Sequence, residues 1–123
     1  MVARVLAVLV ALLMGSLAVR WLFDPGSAAE SLGMPLLDGI GRSTQVGDFS
    51  AFFVSATVLC LVGAIRQETP WLYSTALLLG TAALFRTTAW AFHGASLAIE
   101  SIVAELVMTG MLIGSAILMR RNG

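Results

Sequence analysis

The sequence TQVGDFSAFFVSATVLCLVGAI occupies residues 44–65 and contains one charged side chain, Asp48. A helix needs about 20 predominantly apolar residues to cross a bilayer, and this stretch meets that length. Three further apolar stretches of similar length lie at residues 3–23, 71–92 and 99–119. Lipid offers no hydrogen-bond partners to the backbone, so we predict helices rather than strands. The predicted fold is all-α, a single four-span integral membrane domain over residues 1–123 that forms a four-helix bundle.

The composition of the chain favours the same class. Hydrophobic residues make up 59% and charged residues 11% of the sequence, and the mean hydropathy is +0.94. Soluble domains are typically about half apolar and about a quarter charged. The formal net charge is zero, so nothing in it favours a nucleic-acid partner. Cys60 is the only cysteine, which excludes an intrachain disulfide, and the absence of lysine excludes Schiff-base chemistry.

The arginines favour one orientation by a narrow margin, because cytoplasmic loops of membrane proteins are enriched in basic residues. With the N-terminus inside, four arginines lie at the cytoplasmic side: Arg4, Arg66, Arg120 and Arg121. Arg20, Arg42 and Arg86 then lie towards the outside. We therefore predict a multi-pass protein with both termini inside, although so small a bias also permits dual topology.

The first outer loop, residues 24–41, is predicted to contain a short interfacial helix. Asp24 can cap this helix, Pro25 suits its first position, and Gly33 can end it. Four apolar residues then give the loop a side that could cover the membrane domain as a lid: Leu32, Met34, Leu36 and Leu37. Trp21, close to the same end of the first span, is expected in an interfacial aromatic belt.

Three ionisable residues, Asp48, Arg86 and Glu105, are predicted to lie at one depth within the outer leaflet. Asp48 lies close to the start of the second predicted span, Arg86 close to the end of the third, and Glu105 close to the start of the fourth. An ionised side chain inside a membrane costs about 2.5–3.5 kcal/mol on insertion scales, so the three are expected to meet. They could form a site or an ion network that only joins helices.

Further candidates extend this layer. His93 and Trp90 share one helical face with Arg86 at the i, i+4, i+7 spacing. We predict Asp48, Arg86, His93 and Glu105 as catalytic candidates. The ligand-binding candidates are Trp90, Phe52, Glu100 and Ser101, and the three phenylalanines Phe49, Phe52 and Phe53 could form the wall of an apolar cavity. One histidine with scattered carboxylates lacks zinc or di-iron spacing, so we predict no metal, and no cofactor can be named.

The residues of this layer also carry a resemblance. The chain contains Gly47-Asp48, Phe52-Phe53, Phe85-Arg86, Ala89-Trp90, His93-Gly94-Ala95, Glu100 and Glu105, with Asp24-Pro25 and Leu32-Gly33-Met34-Pro35 in the outer loop. This pattern resembles small bacterial four-helix integral membrane proteins of unknown function that are loosely similar to the DoxX-like superfamily. The resemblance implies a four-helix bundle in the bacterial inner (cytoplasmic) membrane, and it supplies no substrate and no catalytic residue.

The leading functional prediction is a cavity that binds, and could transform, an amphipathic small molecule such as a quinone or lipid. Arg86 would hold the polar head, Asp48 or Glu105 would act as acid or base, and His93 would relay protons. Whether the protein is an enzyme stays open.

The alternative is an accessory or assembly subunit, since Gly110 and Gly114 form a G-x-x-x-G that could pack within the chain, in a homo-oligomer or in a larger complex. A proton-coupled transporter is the less favoured third prediction.

Overall fold

A computed structural model describes residues 1–122, and these residues form five helices and no strand. The helices are α1 (Val2–Phe23), α2 (Pro25–Ser31), α3 (Gly39–Arg66), α4 (Thr69–Phe92) and α5 (Ile99–Asn122). The all-α prediction is confirmed.

Three of the helices are long and apolar enough to cross a membrane, at Val2–Phe23, Gly39–Arg66 and Ile99–Arg121. They indicate a membrane protein. The helix α4 is also long, but Arg86 and threonines such as Thr87 and Thr88 lower its hydropathy, and it is not among the three. The fourth span therefore stays a prediction.

The four long helices pack side by side. The helix α1 contacts both α3 and α5, and α4 contacts the same two helices. Alanines without exposed surface, among them Ala7 on α1, Ala56 on α3 and Ala116 on α5, allow neighbouring backbones to approach closely. At one end of the molecule, Ser115 donates a hydrogen bond to the Ala3 carbonyl oxygen and so joins α5 to α1.

The helix α3 begins earlier than the hydropathy pattern predicts, at Gly39 rather than at residue 44. An ion pair of 2.9 Å between Arg42 Nη2 and Asp38 Oδ1 supports its first turn. Apart from Ile40, the additional residues are two glycines, Arg42 and Ser43, which is why an apolar window misses them. Asp48 consequently lies about 13 Å along α3 from its first residue, at 1.5 Å per residue, rather than near the helix start.

The short helix in the first loop is present as α2, and its termini are the predicted ones. The Asp24 side chain accepts a hydrogen bond from the Ser27 backbone N–H, and Pro25 occupies the first turn. Gly33 follows the helix with a φ of +81°, a conformation that glycine adopts without steric cost. Arg20 on α1 contacts α2 by donating a hydrogen bond to Ser27 Oγ over 2.9 Å.

The segment after α2 folds back onto the long helices. Of the four apolar residues predicted as a lid, Leu32, Met34 and Leu36 pack against the core, whereas Leu37 is largely exposed. The side chain of Gln45 on α3 fixes this segment. Its Oε1 accepts a hydrogen bond from the Leu37 backbone N–H over 2.7 Å, and its Nε2 donates to the Pro35 carbonyl oxygen over 3.1 Å.

The prediction for Trp21 was wrong. Its side chain is 0% exposed, and its ring stacks on Phe49 of α3 with the centroids 4.8 Å apart and an interplanar angle of 11°. A tryptophan near a helix end suits an aromatic belt only if it points outward, and the packing of α1 on α3 turns this one inward. The stacked pair joins α1 to α3 close to the predicted polar layer.

Candidate functional site

An ion pair between α4 and α5 lies at the centre of the candidate site. Arg86 Nε donates a hydrogen bond to Glu105 Oε1 over 2.9 Å. The Arg86 side chain is 31% exposed and the Glu105 side chain 10%. Arg86 lies as far before the end of α4 as Glu105 lies after the start of α5. Because these helices pack side by side and a short loop joins them, equal distances from the loop bring the two side chains to one level.

Asp48 faces the same space without pairing with Arg86. Among the described residues, its carboxylate takes part in no ion pair and no side-chain hydrogen bond. Of the three residues expected to meet, Arg86 and Glu105 form an ion pair, and Asp48 is not part of it. Asp48 is exposed at the edge of α3, too far from the arginine for direct contact.

A cavity of about 320 Å³ brings the three ionisable residues together. We call it the charged cavity. It is lined by Asp48, Arg86 and Glu105 and by five apolar residues: Leu32, Phe49, Phe52, Phe53 and Ala82. Phenylalanines at the i, i+3, i+4 positions of α3 thus form one wall, as their spacing indicates. The volume is at the lower end of the range of small-molecule sites, which is about 300–1,000 Å³.

A smaller inner cavity of about 90 Å³ adjoins the charged cavity. The two share the ion pair together with Leu32, Phe52 and Phe53. The inner cavity adds Ser101, one of the predicted ligand-binding residues, and apolar side chains from three helices: Met14, Leu17, Leu79, Ala104 and Met108. Two predicted ligand-binding residues, Phe52 and Ser101, therefore lie beside the ion pair.

Three other predicted site residues lie elsewhere. His93 is exposed and follows the last residue of α4 with a φ of −124°, so the helical register that relates it to Arg86 ends before it. Trp90 is 51% exposed in the last turn of α4 and lines neither cavity. Glu100 lines a separate polar cleft with Glu30, between the end of α2 and the start of α5. The structure does not bring these residues to the ion pair.

Sequence reasoning missed the apolar contribution of α1 to the site. Met14 and Leu17 look like ordinary residues of an apolar span, and nothing in their spacing separates them from lipid-facing neighbours. Leu32 had a detectable signal, since an apolar residue directly before the glycine that ends a short helix is well placed to fold back. It lines the charged cavity, the inner cavity and the polar cleft.

The site offers hydrogen-bond donors and acceptors in an aromatic enclosure. The two Nη atoms of Arg86 have no hydrogen-bond partner among the described residues, so they are free to donate to an oxygen atom in the cavity. Asp48 and the second oxygen of Glu105 can accept hydrogen bonds. No group of three or more metal-ligating side chains occurs within the part of the chain that the structure describes.

Comparisons of the chain with protein-family models, with curated proteins and with solved structures returned no match.

Proposed function

We propose that the charged cavity binds an amphipathic small molecule, such as a quinone or a lipid-like compound, and could transform it. One observation carries this proposal: Asp48, Arg86 and Glu105 line a single cavity whose other walls are apolar. Ligand sites generally combine mostly apolar walls with a few convergent polar groups. An ion pair that served only to join α4 and α5 would need neither the adjoining space nor the unpaired carboxylate.

The roles of the polar groups follow from their chemistry. The free Nη donors of Arg86 would hold a carbonyl, hydroxyl or ester oxygen of the head group, because guanidinium stays charged in apolar surroundings. Asp48 has no competing partner, so it is the residue to accept a proton from a bound hydroxyl or to return one. Glu105 would orient Arg86. His93 is exposed at the same end of the molecule, where it could pass protons to water.

The proposal includes a membrane arrangement with α4 as the fourth span. The helix α4 packs between α3 and α5, both of which are long and apolar enough to cross a bilayer. A helix held between two spans lies at membrane depth, where the lower hydropathy around Arg86 is offset by the ion pair. We further propose the inside location of both termini, the bacterial inner membrane and the DoxX-like relationship, which rest on the arginine distribution and the sequence resemblance.

The test is native mass spectrometry of the gently extracted protein, with identification of every molecule that leaves it. We expect a bound amphiphile with the wild type and its loss with Arg86→Met. Arg42→Met is the matched control, because it removes an arginine from an exposed ion pair outside the cavity. Loss of the ligand from both variants, or from neither, would contradict a site at Arg86.

A specific observation favours the accessory or assembly subunit as the second candidate. A Cβ atom added to Gly110 or Gly114 would meet no atom within 4 Å, so this G-x-x-x-G faces away from the other helices of the chain. Such a face suits close contact with a further helix, in a homo-oligomer or a larger complex. A partner that co-purifies in fixed stoichiometry and is lost with Gly110→Ile, without any bound small molecule, would favour this function instead.

The proton-coupled transporter is the weaker third candidate. It needs Asp48 to face a path for water, and Asp48 is the most exposed member of the charged cavity. Flux into liposomes that disappears with Asp48→Asn would support transport.

A further inference from the structure

A groove between α1 and α5 leads away from the ion pair towards the membrane-facing surface. Its volume is about 430 Å³. We call it the lateral groove, and it is lined by Leu13, Met14, Ser16, Leu17, Ala104, Val107, Met108 and Met111. None of these side chains is charged. The groove lies along the second half of α1 and the first half of α5.

The lateral groove is continuous with the site. It shares Met14, Leu17, Ala104 and Met108 with the inner cavity, and the inner cavity in turn contains the Arg86–Glu105 pair. At the end of the groove that lies away from the ion pair, Leu13 is 51% and Val107 is 55% exposed. An apolar path therefore runs from the ion pair to a surface that would face lipid in a bilayer.

The residues of the groove explain why it stays open. Ser16 and Ala104 are too small to fill the space between α1 and α5 at this level. The methionines Met14, Met108 and Met111 have flexible, unbranched side chains that adapt to apolar ligands of varying shape. The hydrogen bond from Ser115 to Ala3 holds the two helices together at the far end.

The charges of the site favour an uncharged head group. Two carboxylates, Asp48 and Glu105, accompany one guanidinium, and Glu105 already pairs with it. An anionic head at Arg86 would therefore also approach the unpaired Asp48, and like charges at close range are strongly unfavourable. A hydroxyl can instead donate to Asp48 while a neighbouring oxygen accepts from Arg86.

From these observations, and resting on the proposed function of the charged cavity, we infer the chemical class and the route of its ligand. The ligand is an uncharged amphiphile with hydroxyl or carbonyl oxygens on its head and one long apolar tail. The head lies between Asp48 and Arg86, and the tail follows the lateral groove and leaves between α1 and α5. The molecule enters from the bilayer rather than through the polar cleft, because the lining of the lateral groove is uncharged whereas Glu30 and Glu100 line the cleft.

The test uses photo-crosslinking in nanodiscs with three probes that carry the same diazirine-bearing tail. Two probes are uncharged, a monoacylglycerol and an alkyl hydroquinone, and together they distinguish a lipid source from a quinol source. The third is a fatty acid, whose head is anionic. We expect at least one of the uncharged probes to label peptides containing Leu13 or Val107. The fatty acid should label these peptides about ten-fold less, which corresponds to a modest difference in affinity.

Two variants test the route. Ala104→Trp fills the groove from α5 at an exposed position, and Ser16→Trp fills it from the α1 side. We expect each to reduce labelling of the groove about ten-fold or more. Leu77→Trp is the matched control, because Leu77 is 66% exposed in a separate groove between α4 and α5. Thermal unfolding of every variant shows whether the protein remains folded.

The outcomes separate this inference from the proposed function. Labelling that maps outside α1 and α5, equal labelling by the fatty acid, or unchanged labelling in both tryptophan variants would overturn the route or the head group. If Arg86→Met still abolished labelling in that case, the proposed site would stand without this inference. Labelling by no probe in the wild type would contradict both.

Discussion

Arg86 and Glu105 form a hydrogen-bonded ion pair of 2.9 Å between two helices that follow one another in the chain. Glu105 is 8% exposed, and α4 and α5 pack on each other along their length. The pair therefore joins these helices at one level and lines the charged cavity at the same time. The pair has a structural role, joining α4 to α5, and a proposed role in ligand binding. Only variants that remove one of these roles and keep the other can distinguish them.

We expect Arg86→Met to lower the free energy of unfolding by about 3 kcal/mol, because it leaves the buried Glu105 carboxylate without a partner. The double variant Arg86→Met/Glu105→Gln removes the uncompensated charge and should recover most of this loss. The measurement is unfolding of the detergent-solubilised protein by a denaturing detergent. Equal losses in the single and double variants would contradict the assignment of the loss to an uncompensated charge on Glu105.

Asp48→Asn should leave stability within about 0.5 kcal/mol of the wild type, because the carboxylate has no partner in the described structure. It should nevertheless weaken ligand binding, since a neutral amide oxygen accepts a weaker hydrogen bond from the ligand hydroxyl than a carboxylate does. Asp38→Asn is a suitable comparison, because Asp38 pairs with Arg42 on the exposed start of α3. A loss of stability in Asp48→Asn without a change in ligand content would contradict the proposed role of Asp48.

Gln45→Ala should lower the free energy of unfolding by about 2 kcal/mol, because it removes a buried side chain that hydrogen-bonds both the Leu37 N–H and the Pro35 carbonyl. The amide of Leu37 should also exchange with deuterium markedly faster. The exposed neighbour Thr44, replaced by alanine, serves as the control. Unchanged exchange at Leu37 would show that the segment after α2 is held by its apolar contacts alone.

Two glycines of α3 should respond to alanine in opposite directions. A Cβ atom at Gly63 would lie 2.7 Å from Leu72 Cδ2 and 3.2 Å from Trp71 Cβ. Gly63→Ala should therefore cost about 1–3 kcal/mol through overpacking between α3 and α4. At Gly47 an added Cβ meets nothing within 4 Å, and alanine should stabilise the helix by up to about 1 kcal/mol. Thermal unfolding of the two variants in one detergent compares them directly.

The apolar runs predicted the long helices because length and hydropathy are local properties of the sequence. The meeting of Arg86 and Glu105 was also predictable, since equal distances from a short loop place two residues at one level. What the sequence does not contain is the rotation of each helix about its own axis. That rotation is set by packing, and it turns Trp21 inward onto Phe49 and leaves Asp48 unpaired at the edge of α3.

The end of α4 is a second case in which the sequence pattern alone does not give the position of a side chain. Counting along a helix places His93 on the face of Arg86, but the helix ends at Phe92, so the relationship does not extend to His93. The contribution of Leu32 to the cavities depends on how the segment after α2 folds back, and that depends on hydrogen bonds from Gln45. Contacts of this kind join residues of different elements, and no periodicity within one element indicates them.

The contact between Ser115 and the Ala3 carbonyl has a consequence for the order in which the molecule assembles. During synthesis α1 can associate with α3 as soon as both have emerged, because these helices pack on each other extensively. The side of α1 that contacts α5 stays uncovered until α5, which follows α4 in the chain, arrives beside it. Throughout that interval the α1 wall of the lateral groove faces lipid directly, so a membrane-dissolved molecule could already occupy it and be enclosed as α5 docks.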